Sequence, residues 1–334
     1  MKNKLSGMPG LLVFAQSRPT GVDDESAYLY NNFNMTEKLP SYGGQAVIEG
    51  VMMRGSQGMA IAMRAPTQEI VIETGPLSSI YKSKIIKVPF LRGMLALWDA
   101  LGLGIRALTT SANVQTGEDE KLEGAQLYIT LGISLALAIG LFFLLPAGIG
   151  HLAQQFLSWD SFWSNLLEGV IRLGLLIGYI WMIGRVPDVK RVFSYHGAEH
   201  KTINAFESGA ELTPQSVARF PLEHARCGTA FLLTLVVFSV IFFSLLGSLP
   251  VGLRLLSRII FIPVIAGIAY EYIRWTANHM NSALVRVVIK PNLALQRLTT
   301  REPSLDMLEV AIAAFQAMRA QEKPVPEMQA TVNL

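Results

Sequence analysis

Two of the chain's five histidines, His196 and His200, stand in the run Ser194-Tyr195-His196-Gly197-Ala198-Glu199-His200-Lys201. On a helix, residues four apart stack over one turn, so the two imidazoles share a face and Glu199 lies close to it. Ile203 and Glu207 continue that face further on. Two imidazoles at this spacing can grip one divalent transition metal, zinc foremost, and a carboxylate beside them can move a proton. His-x-x-Glu-His is the inverted zincin order. A five-residue pattern is short, however, and a polar helix whose histidines merely face phospholipid headgroups would read the same way.

The third ligand is open among His224, Cys227 and Glu207. If His224 and Cys227 both join the two histidines, the site is a closed His3Cys tetrahedron, which is structural. If only one more ligand joins, a position stays open for water, and Glu199 is placed to act as base in a metal-dependent hydrolase. A lone intracellular cysteine can also be a small buried hydrophobe and nothing more. Glu271 is a second candidate catalytic carboxylate, and its bland reading is an intrahelical pair with Arg274. Glu49 and Arg54 read either as an ion pair on a small sheet or as a lid or substrate-carboxylate contact. Arg226 and Glu302 complete the polar set.

What positions these residues is a largely apolar chain. Of 334 residues, 51% are hydrophobic and 16% charged, with a mean hydropathy of +0.38. A bilayer core needs about 20 apolar residues per helix. Gly124–Gly150, Phe162–Gly184, Cys227–Leu253 and Ile259–Trp275 read as four spans. Glu168 and Arg172 lie four apart in the second, able to pair near one end. The net charge of +3 is small and speaks against nucleic acid or another polyanion as partner, and the single cysteine rules out an internal disulfide framework. Membrane lipid, a membrane protein or an amphipathic small molecule are the partners this composition suits.

The fold class expected is therefore a mainly α polytopic membrane protein with a small cytosolic α/β portion. Residues 1–40 carry no pattern, and Met35 stands as an alternative start. Residues 41–90 form a glycine-rich β unit, in which Met59–Arg64 and Glu69–Glu73 flank a hairpin turn and Lys84–Phe90 offers a further strand. Residues 91–123 hold a helix, interrupted by Asp99 and Arg106, that is laid on the membrane surface, followed by a charged link. Spans one and two fill 124–184, the histidine segment 185–226, and spans three and four 227–278. Residues 279–334 end in a helix over Ser304–Arg319, with Pro303 just before it.

Basic residues set the orientation. Arg185, Lys190, Arg191, Lys201, Arg219 and Arg226 lie between spans two and three, and Arg286, Lys290, Arg297 and Arg301 follow span four. The link bearing Trp159 has no Lys or Arg. The positive-inside rule puts both termini and the histidine segment in the cytoplasm, with Arg254 and Arg258 as the dissenting charges at the outer turn.

The motifs YGGQAVIEGVMMRG, SYHGAEHKTINAFE, HARCGTAFLL and TTREPSLDMLEVAIAA resemble the YqhQ-type family of bacterial and plastid membrane proteins, a domain family of unknown function. The likeness runs from about Tyr42 to Gln321. It implies an integral protein of the cytoplasmic or thylakoid membrane and at most a metal dependence, with no established substrate. Carried over residue by residue, the family pattern falls on His196, Glu199, His200, Glu207, His224, Cys227, Glu271 and Glu302. Ala225 departs from the proline expected between the histidine and arginine, which changes loop stiffness rather than chemistry. The functional expectation is a metal-dependent hydrolase at the cytosolic interface. The alternative is a non-catalytic assembly or stability factor for membrane complexes, with a structural metal. A transporter is disfavoured by the lack of paired broken helices.

Overall fold

The computed structural model describes residues 42–77, 88–116, 124–247 and 249–322. The extension 1–40, the residues 84–87 of the suggested extra strand and the charged link at 117–123 lie outside them, while residues 88–90 form a bend and turn rather than a strand.

The described chain is mainly helical, with one small sheet. Strands β1 (Gly43–Val47), β2 (Gly50–Arg54), β3 (Gly58–Arg64) and β4 (Ile70–Pro76) form an antiparallel meander in chain order. Side chains alternate across a strand, and here both faces are used. Val51, Met53, Ala60 and Ala62 face one core with helix α9 (Leu305–Arg319) and the histidine helix α4 (Pro187–Glu207). Val47, Met52, Ile61 and Met63 face the other, against Ala107 and Leu103 of α1 (Leu91–Thr116). Leu308 and Phe315 of α9 are at most 1% exposed, and burying such side chains stabilises by about 1.5–3 kcal/mol each. The sheet thus clamps α4 from one side, and α9 closes over it.

Among the described residues, four helices are long and apolar enough to cross a membrane. They are α2 (Gly124–Phe156, with a π turn at Gly140–Leu144), α3 (Ser161–Ile183), α6 (Gly228–Leu245) and α7 (Val251–Asn278). A short helix α5 (Pro214–Val217) interrupts the loop between α4 and α6. Asp160 caps α3 by accepting from the Trp163 amide at 3.0 Å, and Pro250 precedes α7. Span three ends earlier and span four starts earlier than the apolar runs suggest, because Gly247 takes a left-handed φ of 71° and turns the chain between them.

Helix α1 is held in place by contacts with the rest of the chain. Its start packs on α7, where Gly93 meets the Tyr270 ring and Gly267 meets the Phe90 carbonyl. Trp98 and Leu101 stay 72% and 57% exposed on another side. Helix α8 (Ala283–Thr299), within the carboxy-terminal segment, packs its Leu295 and Leu298 against Ile180 of α3 and Leu233 of α6. It therefore lies beside the ends of two apolar helices, and its last residues reach the histidines.

Candidate metal centre

The ring nitrogens of His196 and His200 and the sulfur of Cys227 all lie within 4.8 Å of one another. His196 Nδ1 is 2.9 Å from the Thr299 carbonyl at the end of α8, and His200 Nδ1 meets the Leu222 carbonyl in the loop. A carbonyl only accepts, so each Nδ1 carries the proton and each Nε2 is left with its lone pair when the ring is neutral. His196 Nε2 lies 3.3 Å from Cys227 Sγ. His200 Nε2 is buried and has no hydrogen-bond partner among the described residues. Orphaned buried nitrogens are rare and call for an explanation such as an ion.

Several contacts make this arrangement. Gly197 lets the Arg301 carbonyl come so close that a Cβ there would sit 2.2 Å from its oxygen, and the Arg301 amide donates to Phe193 O at 2.9 Å. The segment after α8 is thus laid along α4, which brings Thr299 O to His196. The loop is tied down from α4: Lys201 Nζ donates to Ala218 O at 2.8 Å, and Asn204 Nδ2 to Pro221 O and Glu223 O at 3.0 and 3.1 Å. Gln296 clamps His224 by accepting from its amide and donating to its carbonyl, both at 2.9 Å. Cys227 is the N-cap of α6, and its sulfur accepts from the Thr229 amide at 3.4 Å. Helix N-terminal N–H groups favour a thiolate there.

Electrostatics follow from these contacts. Burial alone would raise the Cys227 thiol, but the imidazoles of His200 and His196 outweigh it and hold the group well below its ordinary value. Burial opposes charge on His196, yet the hydrogen bond and charge of Cys227 lift it to about 9. Burial also raises the Glu199 carboxyl, against the pull of His200 and His196, and it lowers His224. Gly44 of β1 leaves room for Glu199, whose Cδ would stand 3.1 Å from a Cβ at that position.

The remaining sequence-derived residues divide around this cluster. The His224 ring stands 5.7 Å from that of His200, while its Nε2 turns to Glu207 Oε2 at 3.6 Å. Glu207 also accepts from Arg226, so Glu207 and Arg226 form a neighbouring pair. Glu302, in the segment after α8, pairs with Lys201 of α4 at 2.7 Å. Glu49, in the β1–β2 turn with φ 52°, accepts from Arg191 at 2.5 Å and from the Tyr195 hydroxyl at 3.3 Å. It does not pair with Arg54, because a turn residue and the far end of β2 are a strand length apart. Arg54 approaches Asp99 of α1 at 4.0 Å instead. Glu271 lies outside the cluster. It accepts from Arg92 Nε at 2.6 Å and from the Phe90 amide at 3.3 Å, and Arg274 is exposed. The packing of α1 on α7 supplies a closer cation than the next helical turn. Thr299 and Gln296 were missed by sequence reasoning. Gln296 is fully buried on α8, and a buried glutamine among apolar residues was the available signal.

One cavity, of about 380 Å³, opens beside this region and is lined by Trp181, Gly184, Arg185, Lys190, Leu298 and Arg301.

Comparison with known proteins places the chain beside others of its kind. A family model described as "Protein of unknown function (DUF1385)" matches residues 88–321. The protein named "Uncharacterized protein YqhQ" from Bacillus subtilis (strain 168) is 34% identical over 291 residues, covering 83% of this chain and 91% of that protein. No solved structure matches.

Proposed function

Starting from the chain's membership in the DUF1385 family of unknown function, we propose that it is a metal-dependent membrane enzyme, a hydrolase acting at the cytosolic interface. The observation that carries this reading is the donor set: one ring nitrogen each of His196 and His200 and the sulfur of Cys227 within 4.8 Å of one another, with His200 Nε2 buried and without a hydrogen-bond partner among the described residues. Two imidazoles and a thiolate suit zinc among the divalent transition metals. Three protein ligands leave a fourth position, where a bound metal would supply an activated water. His224 stands outside the group of three, with its Nε2 3.6 Å from Glu207 Oε2, which supports an open site over a closed one. This chain's own contribution is to fix both imidazole tautomers through Thr299 O and Leu222 O and to hold Glu199 as the proton carrier. Burial raises the Glu199 carboxyl, the direction such a carrier needs.

The proposed setting is the cytosolic side of the cytoplasmic or thylakoid membrane. The four apolar helices and the basic residues flanking α4 and α8 support it. A reporter active only outside the cytoplasm should work when fused near Gln154 and fail near Ser208; the reverse pattern overturns the orientation. The substrate class is membrane-embedded or amphipathic, and the basic, tryptophan-walled cavity that shares Arg301 with the segment beside His196 suits such a molecule's polar end.

A second reading is a structural metal that holds the loop of an assembly factor together. His200 at 1% and Cys227 at 6% exposure favour it. Glu199→Gln separates the two, since it keeps size and removes the basic carboxylate. An enzyme should lose function by about 10²–10⁴-fold while retaining metal and accumulating normally. Full complementation of a deletion strain by that variant, with metal bound, overturns the enzyme.

A further inference from the structure

A second polar cluster lies inside the bundle of apolar helices, towards the ends remote from the histidines. Glu168 and Arg172 of α3 and Arg254 and Arg258 of α7 are each at most 3% exposed. Glu168 Oε1 accepts from Arg172 Nη2 at 2.7 Å and from Arg258 Nε at 2.9 Å, and its Oε2 from Arg258 Nη2 at 2.6 Å. The one carboxylate is thereby committed to two guanidiniums. Their other N–H groups reach neutral acceptors: Phe142 O at 3.0 Å, Ser239 Oγ at 3.2 Å and Asn165 Oδ1 at 3.2 Å.

Arg254 is left over. Its Nη2 donates to Gln154 Oε1 at 2.7 Å, its Nη1 is buried with no hydrogen-bond partner, and no salt bridge reaches it among the described residues. The cluster thus carries an excess of two positive charges. A buried lysine or histidine could shed its proton, but arginine cannot be deprotonated in proteins. Nor does Arg254 reach water along its stem, since protein covers it to 2% exposure. An uncompensated buried ion costs several kcal/mol. The α7 N-terminus makes this worse, because Arg254 sits at the end of its first turn, where the helix's own N–H groups already set a positive potential. Neutral dipoles from Gln154 and Asn165 spread the charge without cancelling it.

We infer that Arg254 is the receptor for an anion of the phosphate or carboxylate class, which completes the charge of this cluster. A guanidinium fork matches either group geometrically. The position suits a lipid phosphate: Gln154 is near the end of α2 (Gly124–Phe156) and Arg254 near the start of α7 (Val251–Asn278), the level at which apolar spans give way to headgroups. A free anion from solution would satisfy the same chemistry. This site is independent of the metal centre and of the reaction proposed for it.

The test uses the full chain, purified in neutral detergent and stripped of lipid, with the thermal midpoint as readout. Phosphatidylglycerol, diacylglycerol and inorganic phosphate are the probes. Phosphatidylglycerol should raise the midpoint of the wild type by a few degrees, and diacylglycerol, which has the same tails and no phosphate, should not. A shift with inorganic phosphate of the same size would assign the site to a free anion. Arg254→Gln should abolish the response. Gln154→Glu supplies a carboxylate to Arg254 within the chain, so it should raise the midpoint of the lipid-free protein and remove the response as well. No shift of the wild type with either phosphatidylglycerol or inorganic phosphate overturns the inference. So does a Gln154→Glu protein that is less stable than wild type and responds to the lipid as wild type does.

Discussion

His196 Nε2 and Cys227 Sγ stand 3.3 Å apart although 31 positions separate the two residues in the chain. On the proposed metal site, that approach favours the cysteine over His224 as the third donor beside the histidine pair. Cys227→Ala should therefore cost more metal affinity than the about 10–100-fold typical of an outer partner. His224→Ala, whose ring turns to Glu207, should stay within that range. Competition against a calibrated chelator measures both. Equal, severe losses would mean a closed four-ligand site.

The glycine of the histidine motif has a packing task. A Cβ at Gly197 would meet Arg301 O at 2.2 Å, so Gly197→Ala must push the segment after α8 off α4 and carry Thr299 O away from His196. Overpacking of this kind costs about 1–3 kcal/mol. The expected result is a lower thermal midpoint together with weaker metal binding. An alanine variant with unchanged metal affinity would separate the Thr299 contact from the site.

Glu271 holds α1 to α7 through Arg92, and it need not act in catalysis. Both partners are about one-fifth exposed, so the pair contributes about 1 kcal/mol or less. Either single change, Arg92→Glu or Glu271→Arg, should lower protein accumulation by introducing a like-charge contact. The double exchange should restore accumulation and function together. A double variant that accumulates normally yet lacks function would return Glu271 to the reaction.

Much of this architecture was legible because its signals are local. Long, mostly apolar runs mark the four apolar helices despite inner charges such as Glu168 and Glu271, and Met59–Arg64 and Glu69–Glu73 on either side of a turn mark paired strands. The four-residue spacing of His196 and His200 puts both rings on one side of α4. The rest depends on parts of the chain that meet only in three dimensions. Thr299 acts through its carbonyl, which no side-chain pattern reveals, and α8 reads as an ordinary basic tail until Leu295 is seen against Ile180 and Leu233. The choice between His224 and Cys227 turns on the loop path fixed by Lys201, Asn204 and Gln296. Arg254 and Arg258 look like topology markers at a helix end, because the partner of Arg258, Glu168, is 90 positions away.

The central claim is that His196, His200 and Cys227 hold a metal, and elemental analysis of the purified full chain tests it most directly. The wild type should carry about one transition metal ion per chain, zinc foremost, since zinc suits mixed imidazole and sulfur ligands. His200→Ala should carry essentially none while the apolar helices remain folded by circular dichroism. A correctly folded wild-type protein that contains no metal, and takes up none when zinc is supplied, contradicts the account.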